Sequence, residues 1–227
     1  MMSALVAAVE TTGGGMTEGF AERRFQYEIS LSPATTAVLV VDMLNDFLED
    51  GGAMVLEAGR AVYEPIRRLV DAARRYDSPV IWVCDEHPYA TVDAEFRKRV
   101  PHCIRGTWGA EIVDALDVHP DDYRVPKRRY SGFFETDLDL RLRELGIETV
   151  VVTGVVTNIC VRSTAHDAFF RGYSVVVPRD CVAATGPREQ ESTLFDIETH
   201  FGEVCSLDEV LALLGEGSAA GGARARG

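Results

Sequence analysis

The sequence has no hydrophobic run approaching the ~18 residues that a membrane-spanning helix needs, which excludes a transmembrane segment of that kind. It has no basic excess either. Lys and Arg number 23 against 36 Asp and Glu, for a formal net charge of −13. That balance argues against a nucleic-acid backbone or an anionic lipid surface as partner. None of the five cysteines (Cys84, Cys103, Cys160, Cys181 and Cys205) forms a Cys-x-x-Cys pair. An odd, scattered set of this kind lacks a disulfide framework and fits a reducing, cytoplasmic setting. The first residues, "MMSALVAAVETTGGGMTEGF", lack the basic stretch of a secretory signal, and their apolar run is short. Met16, after three glycines, is an alternative start.

What is present is apolar and alternating. With 227 residues, 46% of them hydrophobic, the chain suits one large core, since α/β domains often run to ~200–250 residues. Continuous apolar runs at 36–43 ("TAVLVVDM"), 79–85 ("PVIWVCD"), 148–156 ("ETVVVTGVV") and 173–182 ("YSVVVPRDCV") read as strands buried on both faces. A short strand at 123–126 and an edge strand near 203–205 bring the number to six. Helical spacing marks 59–77, where Val62, Ile66, Leu69, Val70 and Ala73 share one face. Further helices are expected at 109–116, at 136–146 with Thr136 as cap and Gly146 as stop, at 158–172, and at 187–201. The β-α alternation predicts a three-layer α/β/α fold around a central, mostly parallel six-stranded sheet. Residues 1–30 read as a flexible extension, 31–214 as a single domain, and the Gly/Ala/Arg segment 215–227 as a tail without fixed structure.

In an open parallel sheet, ligands bind beyond the carboxyl ends of the strands. Four strands deliver reactive groups there: Asp42, then Asp85 with His87, then Lys127, then Cys160. Cys160 reads either as a small core residue or as a nucleophile at a strand-to-helix elbow. In the second reading, the partial positive charge and free N–H groups of a helix start favour the thiolate and can hold an oxyanion.

With those residues placed, the chain resembles the isochorismatase-like cysteine hydrolases, a group that includes nicotinamidases, N-carbamoylsarcosine amidases and ureidoacrylate amidohydrolases. The likeness spans residues 35 to 210 and rests on "AVLVVDMLNDFL", "PHCIRGTWGAEI", "VPKRRYSGFFETDLD" and "VVTGVVTNICVRSTAHDAF". It implies a catalytic set of Asp42, Lys127 and Cys160, a cis peptide at Val155–Val156, and an oxyanion hole formed by the amides of Val156 and Cys160. Asp42 would act as proton carrier and Cys160 as nucleophile on an amide or ureido carbonyl, with ammonia released through a thioester. No cofactor is needed for these three groups. The resemblance also implies a divalent metal (Zn, Mn or Fe) on Asp85, His87 and His102, for which two imidazoles and a carboxylate are suitable donors. Against it, Glu86 stands where nicotinamidases carry an aromatic residue, and the elbow looks closer to the ureido-cleaving branch. The two histidines then read as pocket lining.

Phe47, Trp108, Tyr130, Phe134 and Asn158 are candidates for substrate contact, with Phe133 as wall or core. Asn158 reads equally as a helix cap. His119, His166 and His200 are expected at the surface, and Asp167 in a structural salt bridge or hydrogen bond. The expected partner is a small amide or ureido molecule, and a homodimer or homotetramer is implied by analogy. Two other functions stay open: an isochorismatase-type vinyl ether hydrolase, and a catalytically idle homologue acting as a binding subunit.

Overall fold

The computed structural model describes residues 29–88 and 93–224. Seven parallel strands form one sheet: β1 (Thr36–Val41), β2 (Val80–Asp85), β3 (Tyr123–Lys127), β4 (Thr149–Val155), β5 (Ser174–Pro178), β6 (Val182–Ala183) and β7 (Glu203–Cys205). Their order is β3-β2-β1-β4-β5-β7, with the short β6 beside the end of β4. Every residue of β1 and β2 is buried, as apolar runs without alternation predict for a sheet covered on both sides.

Side chains of one strand alternate between two cores. The short α1 (Asn45–Leu48) follows β1. Val38 and Val40 of β1, with Trp82 of β2 and Val151 of β4, face α2 (Tyr63–Arg75) and α6 (Leu207–Arg224). Those helices answer with Ile66, Leu69, Val210 and Leu214. Leu39 and Val41, with Val83 and Val152, face α3 (Leu138–Glu144) and α4 (Arg162–Phe170), which supply Leu138, Leu142, Ala165 and Ala168. Each such side chain taken fully out of water contributes about 1.5–3 kcal/mol. The outcome is the expected three-layer α/β/α architecture.

The strand order reverses between β1 and β4. The chain builds β2 and β3 to one side of β1, then returns to lay β4 on the other. Here the carboxyl ends leave a crevice. Val41 pairs with both Val83 and Gly154. Gly154 has φ +101°, and a Cβ there would stand 2.0 Å from the Val41 carbonyl oxygen. Only glycine permits this approach.

Several boundaries depart from the sequence reading. Residues 109–116 do not form a helix: one 3-10 turn, Trp108–Ala110, is all that exists. Tertiary hydrogen bonds override the helical pattern. The Asn45 and Val113 amides bond the carbonyls of Glu111 and Met43 at 3.0 and 3.1 Å, and Leu44 bridges Ile112. The run 173–182 breaks at Pro178 into β5, a 3-10 turn and β6, which makes the sheet seven-stranded. Helix 59–77 is 3-10 from Glu57 to Val62 before α2 begins. Helix 158–172 opens with a π-helical turn, Thr157–Val161, ahead of α4. Helix 187–201 is α5 (Pro187–Asp196) followed by a second π turn. Thr136 lies two residues before α3, and its hydroxyl accepts the Leu138 N–H at 3.3 Å. The tail expected to lack structure from 215 is helical to Arg224, continuing a helix anchored by Leu207, Val210 and Leu214 despite four glycines in the added segment. The expected N-terminal extension lies outside the described residues except for 29 and 30.

Candidate active site

Each predicted reactive group sits where a strand ends. Asp42 follows β1 with φ +52°, a left-handed backbone uncommon for aspartate. Hydrogen bonds hold it there: its N–H donates to the Val83 carbonyl at 2.8 Å, and its Oδ1 accepts the Asp85 N–H at 2.7 Å. The free oxygen, Oδ2, thereby faces the end of β3. Lys127 closes that strand, level with Asp85 in register. Its Nζ lies 2.8 Å from Asp42 Oδ2, 3.7 Å from Asp85 Oδ1 and 3.7 Å from Cys160 Sγ. Cys160 sits in the π turn after β4, and the Val155–Val156 peptide before it is cis. Asp42, Lys127 and Cys160 are all buried.

Burial and charge divide the titrating groups. Burial works to raise Asp85, but Lys127, His102 and His87 overcome it and hold the carboxyl well below the usual carboxylate range. Asp42 moves the other way: burial outweighs Lys127, Asp85 adds repulsion, and the carboxyl is raised. The Cys160 thiol is pushed well above its ordinary value by burial, with Lys127 opposing and Asp42 and Asp85 reinforcing. Burial next to two carboxylates here opposes the helix start and the lysine, which favour the thiolate. The two carboxylates are thus driven apart by their surroundings: Asp85 is lowered by its cationic neighbours, while Asp42, raised, lies within hydrogen-bond reach of the Cys160 thiol.

Beside the three groups lies a cavity of about 300 Å³, lined by Asp42, Asp85, His102, Val156 and Cys160 together with Phe47 and Tyr130. The remaining aromatic candidates lie elsewhere. Trp108 and Phe134 are about half-exposed and do not line this cavity. The first is carried outward by the 3-10 turn whose carbonyl binds the Asn45 side chain. Phe133 is core, 5.9 Å from the Tyr173 ring. Asn158 caps no helix. Its amide clasps Thr185, donating to the hydroxyl at 3.2 Å and accepting the backbone N–H at 3.1 Å. Asp167 accepts from the Ser131 hydroxyl and lies 3.4 Å from Arg171, as expected of a structural residue. His119 is exposed, whereas His166 is half-buried against Phe201, with ring centroids 3.8 Å apart. Residues unforeseen from the sequence also line the cavity, among them Met54, Leu56, Glu95, Arg99, Ile159 and Thr185. Met54, Leu56, Glu95, Arg99 and Thr185 come from loops without periodic pattern.

Donor atoms of Asp85, His87 and His102 lie within 4.8 Å of one another, all buried. Both imidazoles are oriented from behind. His87 Nδ1 is 3.0 Å from Asp93 Oδ2, and His102 Nδ1 is 2.7 Å from the Val100 carbonyl. Each Nδ1 therefore carries a proton, and each Nε2 faces Asp85, at 3.3 and 3.2 Å. His87 Nε2 and Asp85 Oδ1 are buried without a hydrogen-bond partner. A divalent ion fits this donor set.

A family model described as the isochorismatase domain matches residues 36–209. The chain is 37% identical over 172 residues to a protein of Arabidopsis thaliana named a probable inactive nicotinamidase, spanning 72% of this chain and 88% of that one. It is 36% identical over 206 residues to the ureidoacrylate amidohydrolase of Serratia proteamaculans, spanning 79% and 83%. Among solved structures it is similar to a cysteine hydrolase from Pseudomonas syringae, with TM-score 0.79, 30% identity, and 86% and 99% of the two chains covered. It is also similar to the pyrazinamidase of Pyrococcus horikoshii in complex with zinc, with TM-score 0.71, 30% identity, and 76% and 99% covered.

Proposed function

This chain belongs to the isochorismatase-domain family, and on that premise we propose that it is a cysteine-dependent amidohydrolase. It cleaves the C–N bond of a small carboxamide or ureido substrate and releases ammonia. The observation that carries this reading is the meeting of Asp42 and Cys160 on one small cavity, with Lys127 Nζ buried behind them at 2.8 Å from Asp42 Oδ2 and 3.7 Å from Cys160 Sγ.

Asp42 takes the thiol proton as Cys160 Sγ bonds the substrate carbonyl carbon, and the carbonyl π electrons move onto oxygen. The amides of Val156 and Cys160 hold that oxyanion. When the electrons return, the C–N bond breaks and Asp42 gives its proton to the leaving nitrogen. Water then attacks the thioester, passes a proton to Asp42, and the thiol reforms with release of the acid. Lys127 keeps the buried charges balanced through both halves: with Asp85 ionised, one cation offsets one carboxylate while Asp42 and Cys160 share the moving proton. Phe47 and Tyr130 flank the bound acyl group. A divalent ion (Zn, Mn or Fe) on Asp85, His87 and His102 would act as a Lewis acid at the cavity wall.

The relative named as inactive favours a second reading, an idle homologue that binds without turnover; the isochorismatase-type ether hydrolase is the third. Ammonia release from nicotinamide, pyrazinamide, N-carbamoylsarcosine and ureidoacrylate, with and without chelator, separates them. Release that disappears in Cys160→Ala supports the amidase, and silence across the panel overturns it. Five unpaired cysteines support a cytoplasmic setting, and no helix among the described residues is long and apolar enough to cross a membrane. The exposed Phe169, Phe170 and Phe195 on α4 and α5 support assembly into a homodimer or homotetramer, which sedimentation checks.

A further inference from the structure

The segment after Asp42 carries a second carboxylate that the proposed reaction does not use. Asp46 lies in α1 and is half-buried, yet it does not line the cavity of the nucleophile. Among the described residues it has no cationic partner. Its two oxygens instead accept backbone N–H groups from two different loops: Oδ1 from Ala53 at 3.0 Å and Oδ2 from Cys103 at 2.6 Å. Its own carbonyl accepts the Met54 N–H at 2.9 Å. A carboxylate that accepts N–H groups makes short, charge-assisted bonds of fixed direction.

The loop that carries Cys103 is fitted to this carboxylate. Gly109 packs on it, and a Cβ there would stand 2.2 Å from Asp46 Oδ2. Cys103 itself has φ +46°, a left-handed backbone uncommon for a residue with a side chain. The bond to Asp46 holds its N–H in that conformation. Two imidazoles depend on where Cys103 sits. His102 precedes it directly. The Cys103 carbonyl accepts the His87 N–H at 2.9 Å, and the His87 carbonyl accepts the Arg105 N–H at 2.8 Å. On the other side of the carboxylate, Ala53 leads into Met54 and Leu56, which line the same cavity as His102.

We infer that Asp46 is a positioning residue for this cavity. By fixing Cys103 it aims His87 and His102 at Asp85. By fixing Ala53 it sets the apolar wall of Met54 and Leu56 in register with them. One carboxylate, touching neither an ion nor a substrate, thus holds two walls of the site together. Zinc affinity as a measure of this role rests on the proposed metal reading of Asp85, His87 and His102; amide exchange as a measure of it does not.

The test uses the metal-stripped, full-length chain and Asp46→Asn, which keeps the size of the side chain but turns one acceptor into a donor. Zinc affinity is measured by calorimetry and amide exchange by NMR. Asp46→Asn should weaken zinc binding about 10-fold, as loss of a group that orients metal ligands does. Without metal, the amides of Ala53, His87 and Cys103 should exchange faster together. Gly109→Ala leaves Asp46 in place but crowds its carboxylate, and should shift both measurements the same way; it carries the test alone if Asp46→Asn does not fold. Val70→Ala, in the core under α2, is the control for general destabilisation and should leave zinc affinity unchanged. Equal zinc affinity in the parent and Asp46→Asn overturns the positioning role, as does unchanged exchange at His87 and Cys103. Zinc binding weakened as much by Val70→Ala also overturns it. A parent that binds no zinc removes the metal reading, while joint acceleration of exchange at His87 and Cys103 in Asp46→Asn still supports Asp46 as the residue that places them.

Discussion

The ammonium of Lys127 lies 2.8 Å from Oδ2 of Asp42, with neither side chain open to solvent. A buried pair of this kind is costly to break from one side. Lys127→Met would leave Asp42 and Asp85 as buried neighbours without a cation, a change that costs about 3–5 kcal/mol of stability. Calorimetric melting checks this. A variant that melts with the parent would show that the lysine is not needed to balance the carboxylates.

Cys160→Ala should remove turnover, by at least about 10³-fold, with the melting temperature nearly unchanged, because only the nucleophile is lost. Ammonia release and a melting curve on the same preparation check both halves. Turnover retained in the alanine variant would reject covalent catalysis.

Burial sets the thiol's response to pH. Cys160 is pushed well above the ordinary thiol value, so its thiolate is scarce near neutrality. Inactivation by iodoacetamide should be slow at pH 7 and accelerate about tenfold per pH unit up to and beyond pH 9. Cys160 should still be labelled first, since Cys84, Cys103, Cys181 and Cys205 are buried and do not line its cavity. Rapid inactivation that is flat between about pH 6 and 8 would show a thiolate already formed.

Zinc titration of the metal-stripped protein should saturate at about one ion per chain and fail in His87→Ala and His102→Ala. Asp93→Asn should weaken binding about 10- to 100-fold, because the carboxylate orients His87 from its far side. Affinity unchanged in His87→Ala would remove this histidine from the ion's shell.

Asp93 also shapes acid stability. Burial works to raise it, but the Glu95 N–H, the His87 ring and Arg129 prevail and bring its carboxyl down to about 2. The unfolded value is about 3.9, so the folded state is favoured above that pH and loses the contribution as pH falls from about 4 toward 2. In chelator, the gap in melting temperature between the parent and Asp93→Asn should close over that interval. A gap that is constant with pH would show that Asp93 stabilises without its charge.

The legible part of this molecule was the part governed by the sheet. Asp42, Asp85, Lys127 and Cys160 stand at the ends of apolar runs, and a parallel sheet gathers such ends whatever the loops do. Loops were illegible for the same reason. Trp108 was read as a substrate contact just ahead of a helix at 109–116 that Asn45, Glu111 and Val113 dismantle through long-range hydrogen bonds. Asn158 has the composition of a cap but finds Thr185, 27 residues away. For the thiol, a helix start is visible in sequence, whereas burial beside two carboxylates, which pushes it up, is not.

The close contact of Gly154 with Val41 has a consequence for measurement. It fixes β4 beside β1, and so fixes Cys160 relative to Asp42. One residue of slip between these strands moves the nucleophile by about 3.3 Å along the sheet and turns alternate side chains to the opposite face. The proposed catalytic set therefore has no half-assembled form. Residual activity after heat or denaturant counts intact molecules, and a titration of active sites is at the same time a census of correctly registered sheets.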